Sequence, residues 1–405
     1  MNVLVNAYAV SPSWGSEPGM GWNWVSNLAK YCNLYVITEG EWQNEIEKAL
    51  KDHPYKENLH FYYLPVSDKV RKMCWNQGDW RFYWHYRQWQ KQALRIAREI
   101  CGKERIDILH QLNMIGFREP GLLWKIEGPK FVWGPVGGME TMPIAYLEGA
   151  GIKTVFFNRL KNLINSLQYK YQPNVRKAAK RADAIVAATR GCQTIMEEYY
   201  KRDVYLLNET GCYIIDKSNE IIKNREIFNI LWVGKFDFRK QLMLAIRAIA
   251  EIKDLNVCLN VAGEGDQMMY KQLANDLGIE DKVVFLGKVN HDKINSLMQE
   301  SDVFLFTSIM DATSTVVMEA MQNQLPIVCF DTCGFGTVVD ETIGIKIPLS
   351  SPEQSVTDFG RALRILYDDR GMLSRLSEGC KERVNEFEWS NKAKKMVEIY
   401  QSVLN

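Results

Sequence analysis

Short apolar runs and longer mixed stretches alternate along the chain, and this alternation begins again halfway. Apolar runs of roughly four to eight residues predict buried strands, and mixed stretches of roughly ten to fifteen residues predict helices between them. In the first half, strands are predicted at residues 2–10, 33–38, 60–65, 106–110, 131–134, 184–187 and 204–207. In the second half, they are predicted at residues 228–233, 256–262, 283–286, 303–306, 327–329 and 345–347. Strands that alternate with helices favour parallel sheets, so the pattern predicts two α/β domains.

The two halves are separated near residues 208–226, where the polar run 217–226 is typical of an exposed linker. The chain of 405 residues is longer than one hydrophobic core usually serves. We therefore expect a first domain at residues 1–210, a second domain at 211–388 and a closing helix at 389–405.

The composition is that of an ordinary globular protein, with 46% hydrophobic residues, 24% charged residues and a formal net charge of +1. This balance gives no indication of a nucleic-acid partner. The chain has no apolar run of about eighteen residues and starts directly with a strand, so we expect a cytoplasmic protein. Nine scattered cysteines without a C-x-x-C motif indicate a reducing compartment and favour core packing over a metal site.

Residues 301–336 hold two apolar strands that bracket a short helix, with a carboxylate at each edge of that helix. Asp311 follows the first strand, where open α/β sheets bind their ligands, and Glu319 lies on the helix. Each carboxylate can accept two hydroxyls, so the pair suits a sugar and a ribose on either side of a phosphate. Three hydroxyls can cap the helix, and uncapped N–H groups there can bind phosphate: Thr313, Ser314 and Thr315. An exposed acidic helix without a ligand is the alternative.

The segment DATSTVVMEAM, with LPIV after it, resembles the Glu-x7-Glu signature of family-4 retaining glycosyltransferases, with Asp311 in place of the first Glu. Other matches to the family follow in order along the chain: GSEPGMGW at 15–22, FVWGPVGG at 131–138, LWVGKFDFRKQL at 231–242, AGEGD at 262–266 and VVFLGKV at 283–289. The resemblance therefore covers nearly the whole chain. It implies the GT-B fold, in which two Rossmann-like domains face each other across a cleft and the last helix crosses back onto the first domain.

The resemblance also implies an activity, the transfer of a hexose-type sugar from a UDP- or GDP-linked donor to a glycan or lipid-linked acceptor in surface polysaccharide assembly. In the family, the first acid of the signature contacts the donor sugar and the second contacts the ribose, which are the roles expected here for Asp311 and Glu319. The chain has no D-x-D motif, so we expect neither a metal ion nor a cofactor, and lysines must compensate the charge of the leaving diphosphate.

Lys235 and Lys240 follow the first strand of the second half and are placed to reach both phosphates. The family usually has Arg where this chain has Lys235, which keeps the charge and loses the bidentate fork. The neighbouring Arg239 is a candidate for compensating that loss. The family comparison also marks further donor-side residues: Gly15, Ser16, Gly234, Gly263, Gly265, Lys288 and Val289. The glycine spacing differs from the G-x-G-x-x-G fingerprint, which disfavours a dehydrogenase.

The catalytic step predicted from the resemblance needs no protein base, because the leaving phosphate takes the proton of the acceptor. Many family members carry a His after the strand that matches residues 131–134, where this chain has GPVGGME. His110 ends another strand and is predicted to face the cleft and join Asp311, Lys240 and Lys235 in the catalytic group; a structural histidine is the equal alternative. Glu17 and Glu140 are candidates for the acceptor side, with a solvated loop acid as the favoured alternative for Glu140.

Ten of the twelve tryptophans precede residue 134, which favours the first domain as the acceptor side. Four of them suit sugar stacking or a membrane interface, although core packing is the favoured interpretation: Trp75, Trp80, Trp84 and Trp89. Residues 149–182 contain no acid and eight basic residues among large apolar ones. The stretch 153–181 therefore resembles a surface for anionic lipid at the inner face of the membrane, and a solvated basic helix packed by its apolar stripe is the equal alternative.

Two other functions compete with sugar transfer. A non-catalytic nucleotide-sugar-binding or scaffold protein would explain the changed first acid, the Lys at 235 and the His absent after residues 131–134. Epimerisation of a nucleotide sugar would demand a proton-transfer histidine, and five histidines in the whole chain leave little room for it.

Overall fold

The computed structural model describes residues 1–76, 79–147, 150–214 and 226–405, so nearly all of the predicted linker 217–226 lies outside the described residues. The chain forms two compact units. The first comprises Met1–Glu140, Ile164–Gly211 and Trp389–Asn405, and the second comprises Thr141–Leu163 and Cys212–Glu388.

The first unit contains a seven-stranded parallel sheet in the order β3-β2-β1-β4-β5-β6-β7. Its strands are β1 (Asn2–Ala7), β2 (Asn33–Thr38), β3 (Leu59–Tyr63), β4 (Ile108–Asn113), β5 (Lys130–Val136), β6 (Ala184–Ala187) and β7 (Tyr205–Leu206). The helices of this part of the chain are α1 (Ser16–Leu28), α2 (Gln43–Lys51), α3 (Asp68–Trp75), α4 (Arg81–Lys103), α5 (Ile152–Tyr171), α6 (Pro173–Arg181) and α7 (Arg190–Tyr200). Apolar clusters cover both faces of the sheet, which explains why the β1 and β4 strands are buried almost throughout.

The second unit contains a six-stranded parallel sheet in the order β10-β9-β8-β11-β12-β13. Its strands are β8 (Phe228–Val233), β9 (Val257–Ala262), β10 (Val283–Gly287), β11 (Val303–Phe306), β12 (Ile327–Phe330) and β13 (Gly344–Ile347). The helices that follow are α8 (Leu242–Ala250), α9 (Met268–Asp276), α10 (His291–Glu300), α11 (Thr315–Gln322), α12 (Phe335–Val338), α13 (Pro352–Asp368), α14 (Arg370–Phe387) and α15 (Trp389–Leu404). Short 3-10 helices lie at Lys56–Asn58, Leu123–Lys125, Ile144–Leu147 and Glu280–Lys282.

The predicted pair of parallel α/β domains is confirmed, and each predicted strand has a counterpart in the structure. The closing helix α15 belongs to the first unit, as the family resemblance implied. The Trp389 ring packs edge-on against Trp24 with centroids 5.5 Å apart, and the Lys392 ammonium donates to the Asn208 carbonyl at 2.7 Å. A buried aromatic pair and a buried charge-assisted bond therefore fix this helix to the first sheet.

One segment differs from the predicted bounds, because Thr141–Leu163 belongs to the second unit and not to the first. Tyr146 supplies the physical reason. Its hydroxyl lies 2.7 Å from the Ser355 hydroxyl, its carbonyl accepts from Gln241 Nε2 at 2.6 Å, and its ring packs edge-on against Phe330. No helix among the described residues is long and apolar enough to cross a membrane.

Candidate functional site

The middle of the second sheet is the point at which the strand order reverses, because β8 is followed in space by β9 on one side and β11 on the other. Loops that leave two such strands diverge and open a crevice at the carboxyl edge, where α/β sheets bind ligands. The predicted donor-site residues Lys235, Lys240 and Asp311 lie on the two loops that leave β8 and β11. The structure therefore brings these three residues to one edge of one sheet.

Lys240 and Asp311 form an ion pair at this edge, with Lys240 Nζ 2.6 Å from Asp311 Oδ2. The ammonium also lies 5.1 Å from the centre of the Phe306 ring. The two side chains are 17% and 31% exposed, so the pair is reachable from solvent and is screened less than a surface pair.

The backbone around Lys240 is fixed by the end of β11. The Thr307 hydroxyl donates to the Lys240 carbonyl at 2.8 Å and accepts from the indole N–H of Trp232 at 3.0 Å. Gln241 stands in the left-handed region with φ of 53°, and this turn begins α8. The lysine is thereby pre-positioned by buried hydrogen bonds that need no ligand.

The other two cations of this loop differ from each other. Arg239 is bound by Asp237, with Nη2 2.8 Å from one carboxylate oxygen and Nε 3.3 Å from the other. Its fork is therefore engaged within the loop, which limits the compensating role predicted for it. Lys235 is exposed, and among the described residues it forms no ion pair.

The glycines of this edge serve close packing of the backbone. A Cβ on Gly263 would lie 1.9 Å from the Gly234 carbonyl oxygen, and one on Gly265 would lie 2.4 Å from the Phe236 side chain. Gly265 also has φ of 153°, which side chains rarely adopt. These glycines let the loop after β9 lie against the loop after β8.

Lys288 lies on the loop after β10, where its ammonium is 2.9 Å from Glu264, and the half-buried Val289 follows it.

The start of helix α11 carries the three predicted hydroxyl residues, and they differ in exposure. Ser314 is the N-cap with φ of 64° and makes no side-chain cap hydrogen bond. Thr313 is fully buried, and a Cβ on Gly334 would lie 2.3 Å from its hydroxyl oxygen. Thr315 is exposed. The Val317 N–H donates to the Ser314 carbonyl at 3.2 Å, and the Ser314 side chain does not cap the helix, so the N–H groups of Thr315 and Val316 are the first-turn donors that an anion can meet together with the helix dipole.

Glu319 lies on α11 with a side chain that is 23% exposed. Burial raises the pKa of this carboxyl, and the neighbouring His291 partly lowers it, with Nε2 of the imidazole 3.6 Å from Glu319 Oε1. His291 did not emerge from the sequence pattern. The signal for it is Asn290, which ends the loop after β10 and caps α10 through the Lys293 N–H at 2.9 Å, so the next residue lies at the carboxyl edge of the sheet.

Gly15, Ser16 and Glu17 lie in the first unit, at the loop that leaves β1 and begins α1. Gly15 and Ser16 are exposed, and Ser16 has φ of 56°. The Glu17 carboxylate accepts the Ile115 N–H at 2.8 Å. Burial raises the pKa of Glu17 to about 7, although the bond from Ile115 works in the other direction. A carboxyl with such a pKa titrates near neutral pH, which suits a functional site.

The structure contradicts the catalytic role predicted for His110. The imidazole is fully buried, with Nε2 2.6 Å from the Gly134 carbonyl and Nδ1 2.6 Å from the Tyr400 hydroxyl. A neutral ring that donates from Nε2 and accepts at Nδ1 satisfies both contacts. Burial lowers the pKa of His110 to about 4, so the ring stays neutral. The residue joins β4, β5 and the closing helix α15, and it has no nitrogen left for a ligand.

Glu140 and three of the four tryptophans also differ from their favoured interpretations. The Thr189 hydroxyl donates to the Glu140 carboxylate at the start of α7, so Glu140 is not a solvated loop acid.

Core packing was expected for four tryptophans and holds for Trp89, which is 3% exposed. It is wrong for the other three, which are 44%, 77% and 59% exposed: Trp75, Trp80 and Trp84.

Among residues 1–76, 79–147, 150–214 and 226–405, no group of three or more His, Cys, Asp or Glu side chains is arranged to hold a metal ion. The cationic groups of the β8 loop and the first turn of α11 can bind a phosphate at this edge.

Comparisons with known proteins agree with this geometry. Residues 215–383 match the family model described as glycosyl transferases group 1. An uncharacterized glycosyltransferase, MJ1607 of Methanocaldococcus jannaschii, is 31% identical over 175 residues, which are 42% of this chain and 44% of that protein. The D-inositol 3-phosphate glycosyltransferase of Corynebacterium kroppenstedtii is 24% identical over 186 residues, which are 43% of this chain and 40% of that protein. The chain thus aligns with less than half the length of these relatives.

Solved structures resemble the chain over nearly its whole length. WaaG, a glycosyltransferase involved in lipopolysaccharide biosynthesis, matches with a TM-score of 0.57 and 18% identity over 98% of this chain and 99% of that one. Sucrose-phosphate synthase from Thermosynechococcus elongatus matches with a TM-score of 0.62 and 14% identity over 99% of this chain and 98% of that one. HepE from Anabaena, solved in complex with UDP, matches with a TM-score of 0.58 and 13% identity over 99% of this chain and 100% of that one. These likenesses show the fold, which is the pair of Rossmann-like units of GT-B glycosyltransferases.

Proposed function

We propose that this protein is a retaining glycosyltransferase that moves a hexose-type sugar from a UDP- or GDP-linked donor to a glycan or lipid-linked acceptor without a metal ion. The observation that carries the proposal is the ion pair of Lys240 and Asp311 at the point where the strand order of the second sheet reverses. This point lies inside the segment that matches group 1 glycosyltransferases. WaaG takes part in lipopolysaccharide biosynthesis, and we extend a surface polysaccharide role to this chain on that likeness.

The charges of the site suit a departing diphosphate. Lys240, Lys235 and the first-turn N–H groups of α11 offer positive charge where a leaving nucleoside diphosphate develops negative charge. Asp311 accepts hydroxyls of the donor sugar in this proposal, and Glu319 accepts those of the ribose. HepE was solved with UDP, which is the kind of donor product that these groups would hold.

The acceptor proton goes to the leaving phosphate in this proposal, so the reaction proceeds without a protein base. The environment of His110 supports this choice, because both of its ring nitrogens are engaged by protein groups. The first unit supplies the acceptor side, where Glu17 and the exposed rings of Trp80 and Trp84 are candidates for contact. A cytoplasmic location is a further part of the proposal.

Ligand binding tests the donor first. The purified protein is heated with UDP, GDP, ADP and their sugars in the presence of a chelator, because a ligand of the native state stabilises it by RT ln(1 + [L]/Kd) and so raises the melting temperature. A selective shift with one nucleotide and its sugar identifies the donor. The anomeric configuration of the product, read by NMR, then tests retention. Inversion, or activity that requires an added metal ion, would contradict this mechanism.

The alternative is a protein that binds a nucleotide sugar without transferring it. Two departures from the family favour it, since Lys235 replaces an Arg and Asp311 replaces a Glu. Turnover separates the two functions. A thermal shift by the sugar nucleotide without any transfer or hydrolysis, across a panel of glycan and lipid-linked acceptors, would favour the binding protein.

A further inference from the structure

Helix α5 presents three asparagine side chains to the protein and most of its large apolar side chains to the outside. Asn158 and Asn165 are 4% and 3% exposed, and Asn162 between them is half-buried. Asn162 accepts the Met142 N–H at 2.9 Å and donates to the Met142 carbonyl at 2.8 Å. The inward face of the helix is therefore held by amide side chains that satisfy backbone groups.

The outward face of α5 consists of large apolar side chains at spacings of three and four residues, which places them on one stripe. Their exposed fractions run from 43% to 89%. The side chains are Ile152, Phe156, Leu160, Leu163, Leu167 and Tyr171. Phe157 and Ile164 widen the stripe, with exposed fractions of 64% and 43%. A continuous apolar face of this size on the surface of a folded protein indicates a binding surface.

Basic residues surround this stripe. Residues 149–182 contain no Asp or Glu and eight Lys or Arg, the matching charge for an anionic partner. Four of the eight lie on α5: Lys153, Arg159, Lys161 and Lys170. The solvated helix that the sequence offered as an alternative needs its apolar stripe to pack inward, and the exposed stripe contradicts it.

A basic hollow of about 960 Å³ adjoins the end of the stripe. It is lined by Lys170 and Tyr171 from α5 and by cations of the elements that follow: Arg176, Lys177, Lys180 and Arg202. Arg202 donates to the Ala179 carbonyl at 2.7 Å, so one of these cations is held in place by the backbone. No acidic side chain lines the hollow among the described residues, and its chemistry suits a phosphate.

We propose that the apolar stripe of α5 and the adjoining basic hollow form a docking surface for an anionic lipid bilayer, with the stripe at the acyl boundary and lipid phosphates in the hollow. A second copy of the chain is disfavoured as the occupant, because two stripes placed face to face would also bring two acid-free basic segments together. A bilayer with anionic headgroups satisfies the apolar and the charged parts at once. This docking does not depend on sugar transfer, so each can fail without the other.

Vesicle sedimentation of the full chain tests the apolar part. Phosphatidylcholine vesicles are compared with vesicles that also contain phosphatidylglycerol, and the wild type is expected to sediment with the anionic ones. Phe156→Ser combined with Leu160→Ser removes two exposed side chains and should lower the partition coefficient at least roughly tenfold, since burial of such side chains drives insertion. Met268→Ser combined with Met269→Ser is the matched control, because these side chains are 76% and 55% exposed on α9. It should leave sedimentation unchanged.

A second pair of variants tests the charge. Lys177→Gln combined with Lys180→Gln should weaken binding to anionic vesicles roughly fivefold for each charge removed and leave the residual binding to neutral vesicles unchanged. Lys48→Gln combined with Lys51→Gln removes two exposed lysines at the same spacing on α2 and should have no effect. Lys153→Gln, Arg159→Gln and Lys161→Gln together should act like the first pair. All variants are checked for an unchanged melting temperature, because their side chains are exposed.

Three results would overturn the inference. The first is a wild type that does not sediment with anionic vesicles. The second is equal sedimentation of the wild type and the Phe156→Ser, Leu160→Ser variant. The third is self-association in ultracentrifugation that this variant abolishes while vesicle binding is absent, which would identify a second copy as the occupant. If a protein that still sediments with anionic vesicles fails to bind a nucleotide or to turn over, this failure counts against the transferase proposal alone.

Discussion

Asp311→Asn tests whether Lys240 contacts the donor phosphate while Asp311 contacts the donor sugar. The substitution keeps the shape of the side chain and removes a charge that lies 2.6 Å from Lys240 Nζ. In the proposed complex, Asp311 and a donor phosphate approach the same ammonium. Their mutual repulsion therefore opposes binding of the bare nucleoside diphosphate.

The size of this repulsion follows from the geometry. Two anions on opposite sides of one ammonium are about 6 Å apart, and the 17% and 31% exposure of the pair indicates an effective dielectric constant of about 40. The repulsion is then about 1.4 kcal/mol, which is about tenfold in Kd. Asp311→Asn should therefore bind UDP or GDP roughly five- to tenfold more tightly. It should bind the matching nucleotide sugar more weakly, because charge-assisted bonds from the sugar hydroxyls, worth about 1.5–3 kcal/mol, are lost.

Isothermal titration calorimetry with the nucleotide and its sugar measures both effects. Asp254→Asn is the matched control, because it breaks an exposed ion pair with Arg364 at 2.6 Å. Asp254 precedes β9 and thus lies at the amino edge of the same sheet, so this variant should change neither Kd. Equal weakening of nucleotide and nucleotide sugar by Asp311→Asn would refute the division of roles.

Three other substitutions test the remaining assignments. Glu319→Ala should weaken the binding of UDP or GDP at least roughly tenfold in calorimetry, because the proposed acceptor of two ribose hydroxyls is lost. An unchanged Kd would show that the residue is not part of the donor site. Tyr400→Phe should lower the free energy of unfolding in urea by about 1–3 kcal/mol without changing nucleotide binding, because it leaves Nδ1 of the fully buried His110 unpaired. In the wild type, the lowered pKa of His110 contributes stability that is present above its unfolded value of 6.5 and is lost as the pH falls through about 4. Glu17→Gln should abolish an opposite dependence: the pKa of Glu17 rises from 4.5 to about 7, so its contribution is present below 4.5 and is lost, by about 3 kcal/mol, as the pH rises through about 7. Parallel stability curves for wild type and Glu17→Gln between pH 4.5 and 8 would show that the carboxyl is not buried in this way.

The fold could be predicted because its central strands are continuous apolar runs. VFLF of β11 and IVCF of β12 are buried at each position, and such runs between helices leave few alternatives to a parallel sheet. The positions of Lys240 and Asp311 followed from the same reasoning, since both come directly after a strand of one sheet. Local sequence order was sufficient at this edge.

His110 shows where local order is insufficient. Its partner Tyr400 is 290 positions away in the sequence, and nothing near the IDILH strand indicates that a distant hydroxyl will occupy the imidazole. Helix α5 left two interpretations open for a related reason. Its apolar period fits an exposed surface and a packed stripe equally well, and the helix orientation is fixed by amide side chains that bond a distant loop, such as Asn162 with Met142. Hydrogen-bond partners decided both cases, and hydrophobic periodicity carries no information about them.

The cations of the β8 loop can be ranked by what each must give up to bind a phosphate. Arg239 would have to leave the two carboxylate oxygens of Asp237, and Lys240 would have to share its ammonium with Asp311. Lys235 has no ion pair to give up among the described residues and loses only hydration. A phosphate that enters this edge therefore meets Lys235 at the lowest cost, although this is the position where the chain has Lys in place of the Arg usual in the family that it resembles. Because an ammonium on a flexible stem offers charge without a fixed fork, this substitution reduces geometric selectivity and preserves the attraction. In the proposed function, the carboxylate of Asp311 is then the group that favours a sugar nucleotide over a bare diphosphate.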